Sequence, residues 1–133
     1  PDMDQRNPDL QRYMGTNILW WMAEVGIDGL RIDTYTYGAQ DAMAAMTKRI
    51  AEAFPESFMF AEAWVYGSAK QAALVEGTGF GWGPMTGLDG TVDFAWHFAM
   101  QEAVHQGEGW EHGIGAVYEV LAEDFLYPHP NGS

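Results

Sequence analysis

The amino-acid sequence predicts an α/β fold in which short parallel strands alternate with helices. Short apolar runs recur along the chain, and between them lie longer stretches whose apolar residues repeat at the spacing of a helix. The run at residues 58–61, FMFA, is apolar at every position, which is typical of parallel strands that helices cover on both faces. Repeated strand–helix units of this kind indicate a parallel sheet.

Length and charge limit the possible functions. The 133 residues correspond to at most one domain, and 47% apolar against 19% charged residues favour a packed interior over disorder. The formal net charge of −13, with only 6 lysines and arginines, argues against nucleic acid and against anionic lipid as partners. No apolar run approaches the roughly 20 residues that cross a bilayer. Because cysteine is absent, a disulfide framework and a thiolate metal site are excluded.

The first helix has clear start and stop signals. Asn7 is a typical N-cap residue, Pro8 suits the first helical position, and Gly26 ends the helix. Five apolar residues follow at near-helical spacing: Leu10, Met14, Ile18, Trp21 and Val25. We expect Trp20 and Trp21 on the buried side of this helix. Residues 27–33, IDGLRID, then form a short strand that ends at a charged residue.

The second helix and second strand follow the same pattern. The helix begins after Gly38 and ends at Pro55, and its apolar stripe consists of Met43, Met46, Ile50 and Phe54. Residues 58–61 form the second strand, which ends at Glu62.

The rest of the sequence predicts one more strand–helix unit and a final helix. Ser68 is expected to cap a short helix that reaches Val75, and six glycines in residues 77–90 exclude a regular element there. Residues 91–94, TVDF, form a third strand, and a helix covers 98–104. A last helix carries Ile114, Tyr118, Leu121 and Phe125 and stops at Pro128 and Pro130.

The acidic residues at the strand ends recur at a regular interval. Asp33 and Glu62 are 29 residues apart, and Glu62 and Asp93 are 31 residues apart. A (β/α)8 barrel of ~250 residues has about 31 residues per unit, and doubly wound sheets have similar periods, so both architectures fit. A barrel needs about twice the present length, and as a barrel this chain is one arc.

Asp33 and Glu62 are predicted to end neighbouring parallel strands. Such strands lie ~4.8 Å apart, so two side chains pointing the same way bring their carboxyl groups to about 5 Å. That separation suits a retaining glycosidase, in which one carboxylate attacks the sugar and the other carboxyl protonates the departing oxygen. The alternative is structural: strands end in acids where loops begin, and Arg31 and Asp33 form an ion pair.

The surroundings of the two carboxyl groups are expected to differ. Side chains of a strand repeat every two residues, so Arg31 shares a face with Asp33 and favours its ionised form. Glu62 can share its face with three aromatic residues, Phe58, Phe60 and Trp64. We expect these aromatic rings to disfavour the charge on Glu62 and to keep its proton available for donation.

Three segments resemble the α-amylase superfamily of glycoside hydrolases, family 13. Residues 29–33, GLRID, resemble its glycine, variable, arginine, variable, aspartate signature, and residues 58–64, FMFAEAW, resemble its acid/base segment. Residues 1–4, PDMD, resemble the segment between the third and fourth barrel strands of neopullulanase and cyclomaltodextrinase relatives. Residues 31–37, RIDTYTY, are especially similar to bacterial neopullulanase-type enzymes. The resemblance covers essentially the whole chain, in the family's order.

The resemblance implies a partial (β/α)8 TIM barrel, running roughly from the loop before strand 4 to helix 6, with residues 1–133 as a fragment of one catalytic domain. It implies retaining hydrolysis of α-glucosidic bonds in starch-type oligo- or polysaccharides. Asp33 would be the nucleophile, Glu62 the general acid and then the base, and Arg31 the residue that orients Asp33. Three nearby aromatic residues are candidates for stacking on sugar rings: Tyr35, Tyr37 and Trp64.

The sequence also departs from the family pattern. Ala61 stands where the family usually has glycine. The family's earlier segment near the third strand, and its late histidine–aspartate segment with the third catalytic carboxylate, do not occur in these residues. We therefore expect a fragment that is not catalytically competent in isolation.

Cofactors are not required by this chemistry, and none is predicted. Asp2 and Asp4 are candidate calcium ligands in the full-length protein, although two acids without a spaced set of further oxygen ligands do not make a calcium loop. The four histidines lack a shared metal-ligand spacing. Phe80 and Trp82 are either a sugar platform or part of a mobile connector. Asp93 is expected to have a structural, capping role.

Three alternative functions remain. Transfer of the glycosyl group to a sugar instead of water would make the protein an α-glucan transglycosylase. A non-catalytic sugar-binding relative would be marked by loss of the acids, and both Asp33 and Glu62 are present. In an unrelated α/β domain the two carboxyl groups would lie more than about 10 Å apart, where neither glycosidase geometry fits.

Overall fold

The computed structural model describes residues 3–78, 86–104 and 113–127. Helices and strands alternate along them in the order α1 (Pro8–Val25), β1 (Gly29–Ile32), α2 (Gln40–Ala53), β2 (Phe58–Ala61), α3 (Ser68–Ala72), β3 (Gly90–Thr91), α4 (Phe94–Val104) and α5 (Ile114–Ala122). Short 3-10 helices cover Tyr35–Tyr37 and Asp124–Leu126. Among the described residues, no helix combines the length and apolar character that crossing a bilayer requires.

The strands form one parallel sheet in the order β1-β2-β3. Gly29 lies opposite Phe58 and Ile32 lies opposite Ala61, so β1 and β2 begin and end together. The predicted α/β class with parallel strands is confirmed. Because the two strands end at the same level, the residues that follow them lie side by side at the carboxyl edge of the sheet.

Helix α1 has the bounds that its sequence signals predict. The Asn7 side chain accepts hydrogen bonds from the backbone N–H groups of Asp9 (2.9 Å) and Leu10 (3.3 Å). At the other end, Gly26 adopts a left-handed conformation with φ of 71°, and its N–H donates to the carbonyl of Met22. These caps satisfy backbone groups that the helix itself leaves unpaired.

The core lies between the central strand β2 and helices α1 and α2. Its fully buried members are Met22, Tyr35, Ile50, Met59, Ala61 and Leu88. The prediction that Trp20 and Trp21 are buried is wrong, because both rings are about half exposed; they pack on each other in a T-shaped arrangement. The side of α1 that meets the sheet runs through Ile18 and Met22 instead.

The third unit differs in detail from its prediction. Gly67 occupies the N-cap position of α3, and Ser68 is the first helical residue, so Ser68 is not the cap. Helix α3 ends at Ala72, short of Val75, and β3 has only two residues. Residues 92–94 leave the strand because α4 already begins at Phe94.

Asp93 has the capping role that the sequence predicts. It lies immediately before α4, and its carboxylate accepts a hydrogen bond from the backbone N–H of Trp96 at 2.8 Å. Phe80 and Trp82 lie outside the described residues, as do Pro1, Asp2, Pro128 and Pro130.

Gly29→Ala is expected to disturb the pairing of β1 with β2. A Cβ atom at Gly29 would lie 2.9 Å from the backbone carbonyl oxygen of Phe58, which cannot move without shifting the strand. We expect the free energy of unfolding to fall by about 1–3 kcal/mol, the usual cost of overpacking, in urea denaturation of the purified chain. Gly90→Ala is the matched control, since its nearest new contact is at 3.7 Å. Equal losses in both variants would contradict the explanation.

Candidate active site

The carboxyl edge of the sheet places Asp33 and Glu62 next to each other. Asp33 follows β1 and Glu62 follows β2 directly. The backbone hydrogen bonds continue past the strand ends: the N–H of Glu62 donates to the carbonyl of Ile32 at 2.8 Å, and the N–H of Tyr35 donates to the carbonyl of Glu62 at 3.0 Å. The two acidic residues are therefore fixed relative to each other by main-chain bonds.

Arg31 connects the two carboxylates. One guanidinium nitrogen, Nη2, lies 3.1 Å from Oδ1 of Asp33 and 2.8 Å from Oε1 of Glu62. These two distances limit the separation of the two oxygen atoms to at most about 5.9 Å. The expected proximity of the two carboxyl groups is confirmed. An unrelated α/β domain would hold them more than about 10 Å apart, which this limit excludes. The separation of about 5–5.5 Å between the carboxyl groups of retaining glycosidases lies within this limit.

The two carboxylates differ in exposure. The side chain of Asp33 is 67% exposed, whereas that of Glu62 is 14% exposed. Asp33 is therefore open to an approaching molecule, while Glu62 lies deeper and is held by more groups. Unequal environments of this kind are what allow two carboxyl groups to take different roles.

The pKa of Glu62 is lower than that of an ordinary glutamate, so the predicted direction is wrong. The largest cause is the backbone N–H of Thr34, which donates to Oε2 of Glu62 at 3.1 Å. Partial desolvation raises the pKa, but the charge of Arg31 and the side chains of Trp64 and Asp33 lower it further. Hydrogen-bond donors and the positive charge of Arg31 stabilise the ionised form of Glu62 by more than partial desolvation disfavours it.

Thr34 adopts an unusual backbone conformation to make this contact. Among the described residues it is the one non-glycine residue with positive φ, at 48°. A left-handed conformation costs an L-residue roughly 1–2 kcal/mol, and a β-branched side chain fits it poorly. The conformation accompanies the hydrogen bond from the Thr34 N–H to Glu62. No sequence signal marks this residue, because the residue types typical of positive φ are glycine and asparagine.

The three predicted sugar-stacking residues lie in different environments. Tyr35 is fully buried in the core, and burial raises the pKa of its hydroxyl, so its ring is not available to a sugar and this expectation is corrected. The cause is the 3-10 helix after β1, which turns the Tyr35 side chain inward. Tyr37 is exposed, and Trp64 is half-exposed with its ring packed at an angle of 33° against the ring of Phe94.

Metal ligands were a secondary expectation. Within residues 3–78, 86–104 and 113–127, no group of three or more histidine or acidic side chains is arranged to hold a metal ion. Asp4 uses its carboxylate to accept the backbone N–H of Arg6 at 3.1 Å. Asp2 lies outside the described residues, so the calcium site stays a prediction for the full-length protein.

Arg31→Met is expected to raise the pKa of Glu62, because the variant removes a positive charge 2.8 Å from its carboxylate. The pKa is read from the side-chain carboxyl carbon in an NMR titration of the purified chain. Lys48→Met removes an exposed positive charge on α2 and serves as the control. Because folding lowers the pKa of Glu62, ionised Glu62 stabilises the folded wild-type chain. This stabilisation is fully present above the pKa that Glu62 has in the unfolded chain, and it is lost as the pH falls through the pKa that Glu62 has in the folded chain. An unchanged pKa in Arg31→Met would show that the ion pair does not form.

Comparison with known proteins gives α-amylases among the structural neighbours. No protein-family model matches the chain. The fold is similar to an α-amylase from Anoxybacillus, with a TM-score of 0.70 and 22% sequence identity over 96% of this chain. It is also similar to an α-amylase from Geobacillus thermoleovorans in complex with acarbose, with a TM-score of 0.73 and 24% identity over 98% of this chain.

These matches cover only part of the neighbours. The chain spans 26% and 27% of the two α-amylase chains, about a quarter of each. At this level of identity the likeness shows a shared fold: the parallel strand–helix units described above have the arrangement of one portion of an α-amylase chain.

Proposed function

We propose that this chain is part of the catalytic (β/α)8 barrel of a retaining α-glucan hydrolase of the α-amylase superfamily, roughly from strand 4 to helix 6. The observation that supports it most is the contact of Arg31 with both Asp33 and Glu62 at the ends of adjacent parallel strands. The structural likeness to α-amylases supports a carbohydrate substrate.

In this proposal Asp33 is the nucleophile and Glu62 the proton donor. The carboxylate of Asp33 attacks the anomeric carbon, the glycosidic C–O bond breaks, and Glu62 gives its proton to the departing oxygen. A covalent glycosyl ester remains on Asp33. Glu62, now ionised, takes a proton from water, whose oxygen attacks the anomeric carbon and releases Asp33. Two displacements on opposite faces retain the anomeric configuration.

Arg31 aligns Asp33 for this attack through the 3.1 Å contact of its guanidinium with the Asp33 carboxylate. The positive charge of this guanidinium also acts on Glu62, whose pKa is lowered in the free chain. A proton donor must carry a proton, so the proposal requires that a bound sugar excludes water from Glu62 and raises its pKa.

Activity requires more of the barrel than this chain. The chain covers about a quarter of each α-amylase that it resembles, and we expect the remaining strands and a further catalytic carboxylate to lie elsewhere in a longer polypeptide. Residues 31–37 and 1–4 favour a neopullulanase or cyclomaltodextrinase subtype that acts on α-1,4 or α-1,6 links. Product analysis would separate hydrolysis from transglycosylation, since only the latter makes longer glucans.

Asp33→Asn and Glu62→Gln, made in the full-length polypeptide, are each expected to lower kcat for maltooligosaccharide hydrolysis by about 10³-fold or more, as losses of a nucleophile or an acid do. Reducing-end release is the measurement. Asp93→Asn is the matched control, because this acid lies just before α4, outside the Asp33–Glu62 pair, and its amide oxygen can still accept the Trp96 N–H. Full activity in either test variant, or an equal loss in Asp93→Asn, would refute the assignment.

A further inference from the structure

The turn that follows β1 contacts Glu62 through two successive backbone N–H groups. The N–H of Thr34 donates to Oε2 of the Glu62 side chain at 3.1 Å, and the N–H of Tyr35 donates to the main-chain carbonyl of Glu62 at 3.0 Å. Glu62 is thus held both at its backbone and at its carboxyl group. The turn therefore restricts the rotation of the Glu62 side chain.

The turn is itself anchored in the protein core. The side chain of Tyr35 is fully buried, and its carbonyl accepts hydrogen bonds from the N–H of Gly38 at 3.3 Å and from the side chain of Gln40 at 3.1 Å. The carbonyl of Thr34 accepts the N–H of Tyr37 at 3.0 Å. Thr34 is exposed, so burial of its side chain does not explain its positive φ of 48°. The contacts on both sides of Thr34 hold this backbone conformation.

The two oxygen atoms of the Glu62 carboxyl group have different partners. Oε1 lies 2.8 Å from Nη2 of Arg31, which carries a permanent positive charge, whereas Oε2 receives the neutral N–H of Thr34. A proton on Oε1 would lie beside that positive charge, so Oε2 is the more favourable position for the proton. A protonated oxygen keeps acceptor capacity, so the N–H of Thr34 can still orient the O–H group. Within the described residues, the charged side chains that act on Glu62 are those of Arg31 and Asp33.

We propose that Thr34 is a positioning residue of the candidate site, whose backbone N–H holds Oε2 of Glu62 as the oxygen that gives a proton to the departing sugar and later takes one from water. The proposal rests on the proposed function, which assigns both proton transfers to Glu62. Because a hydrogen bond to an ionised acceptor is stronger than one to a neutral acceptor, the N–H of Thr34 favours the base form of Glu62 over its acid form. The turn thereby sets the basic limit of the pH range in which Glu62 can donate its proton.

The test replaces the backbone amide of Thr34 by an ester, through a hydroxy-acid analogue of threonine at position 34 that keeps the side chain and lacks the N–H. In the purified chain, NMR titration of the side-chain carboxyl carbon should show a higher pKa of Glu62, because a donor to its ionised form is lost. In the full-length polypeptide, the basic limb of kcat/KM for maltooligosaccharide hydrolysis should move to higher pH. Above the wild-type limb, kcat/KM relative to its maximum should rise about three- to tenfold.

Two controls distinguish this role from a purely structural one. An ester at Gly38 removes the hydrogen bond from the Gly38 N–H to the Tyr35 carbonyl, in the same turn, and should leave the pKa of Glu62 and the basic limb unchanged. Thr34→Gly keeps the N–H and suits the positive φ, so it should keep the wild-type pKa of Glu62. A circular dichroism spectrum identical to wild type confirms that each variant is folded.

The outcomes separate this role of Thr34 from the catalytic proposal. An unchanged pKa of Glu62 or an unchanged basic limb in the Thr34 ester, or an equal shift in the Gly38 ester, would overturn the role of Thr34 alone, provided that Glu62→Gln is inactive. Full activity of Glu62→Gln would refute the proposed function, and the proton-transfer role of Thr34 with it.

Discussion

One guanidinium group organises the candidate site. Arg31 lies on β1, and its Nη2 contacts an oxygen of Asp33 and an oxygen of Glu62, which come from two different strands. Because Arg31 is half-exposed, these ion pairs add little to the free energy of folding. Their effect is on geometry and on charge: they hold two carboxylates from different strands close together. The contact is possible because β1 and β2 are parallel and end together, with Ile32 opposite Ala61.

Much of the fold could be predicted because its signals are local. Asn7 and Gly26 define α1 through hydrogen bonds and a backbone conformation that depend on a few neighbouring residues. The all-apolar segment of β2 likewise indicates a strand, but the expectation that both of its faces are covered is wrong: Met59 and Ala61 are buried, whereas Phe58 is exposed. The side of a helix that faces the core is a tertiary property, and the half-exposed Trp20 and Trp21 show that a near-helical stripe alone does not define it. The same holds for the bounds of β3, which the early start of α4 shortens.

The site could be predicted in position but not in electrostatics. The meeting of Asp33 and Glu62 follows from strand ends that share one edge of a parallel sheet, which spacing alone indicates. The pKa of Glu62 depends instead on the backbone of Thr34, whose positive φ is unexpected for a β-branched residue. The expectation that Tyr35 stacks on a sugar is wrong for a related reason: Tyr35 begins a 3-10 helix, and its side chain is buried in the core. The backbone conformation of the residues that follow a strand depends on tertiary packing, which a short sequence pattern does not predict.

The central claim is that Asp33 forms a covalent bond to the sugar, and mass spectrometry of a trapped intermediate tests it most directly. The full-length polypeptide would be incubated with a slow α-glucosyl fluoride, which loses fluoride as it glycosylates the nucleophile, and then digested with pepsin. The account predicts one added glycosyl mass on the peptide that contains Asp33. Turnover of α-glucan without a label on that peptide, or with the label on a different carboxylate, would contradict it.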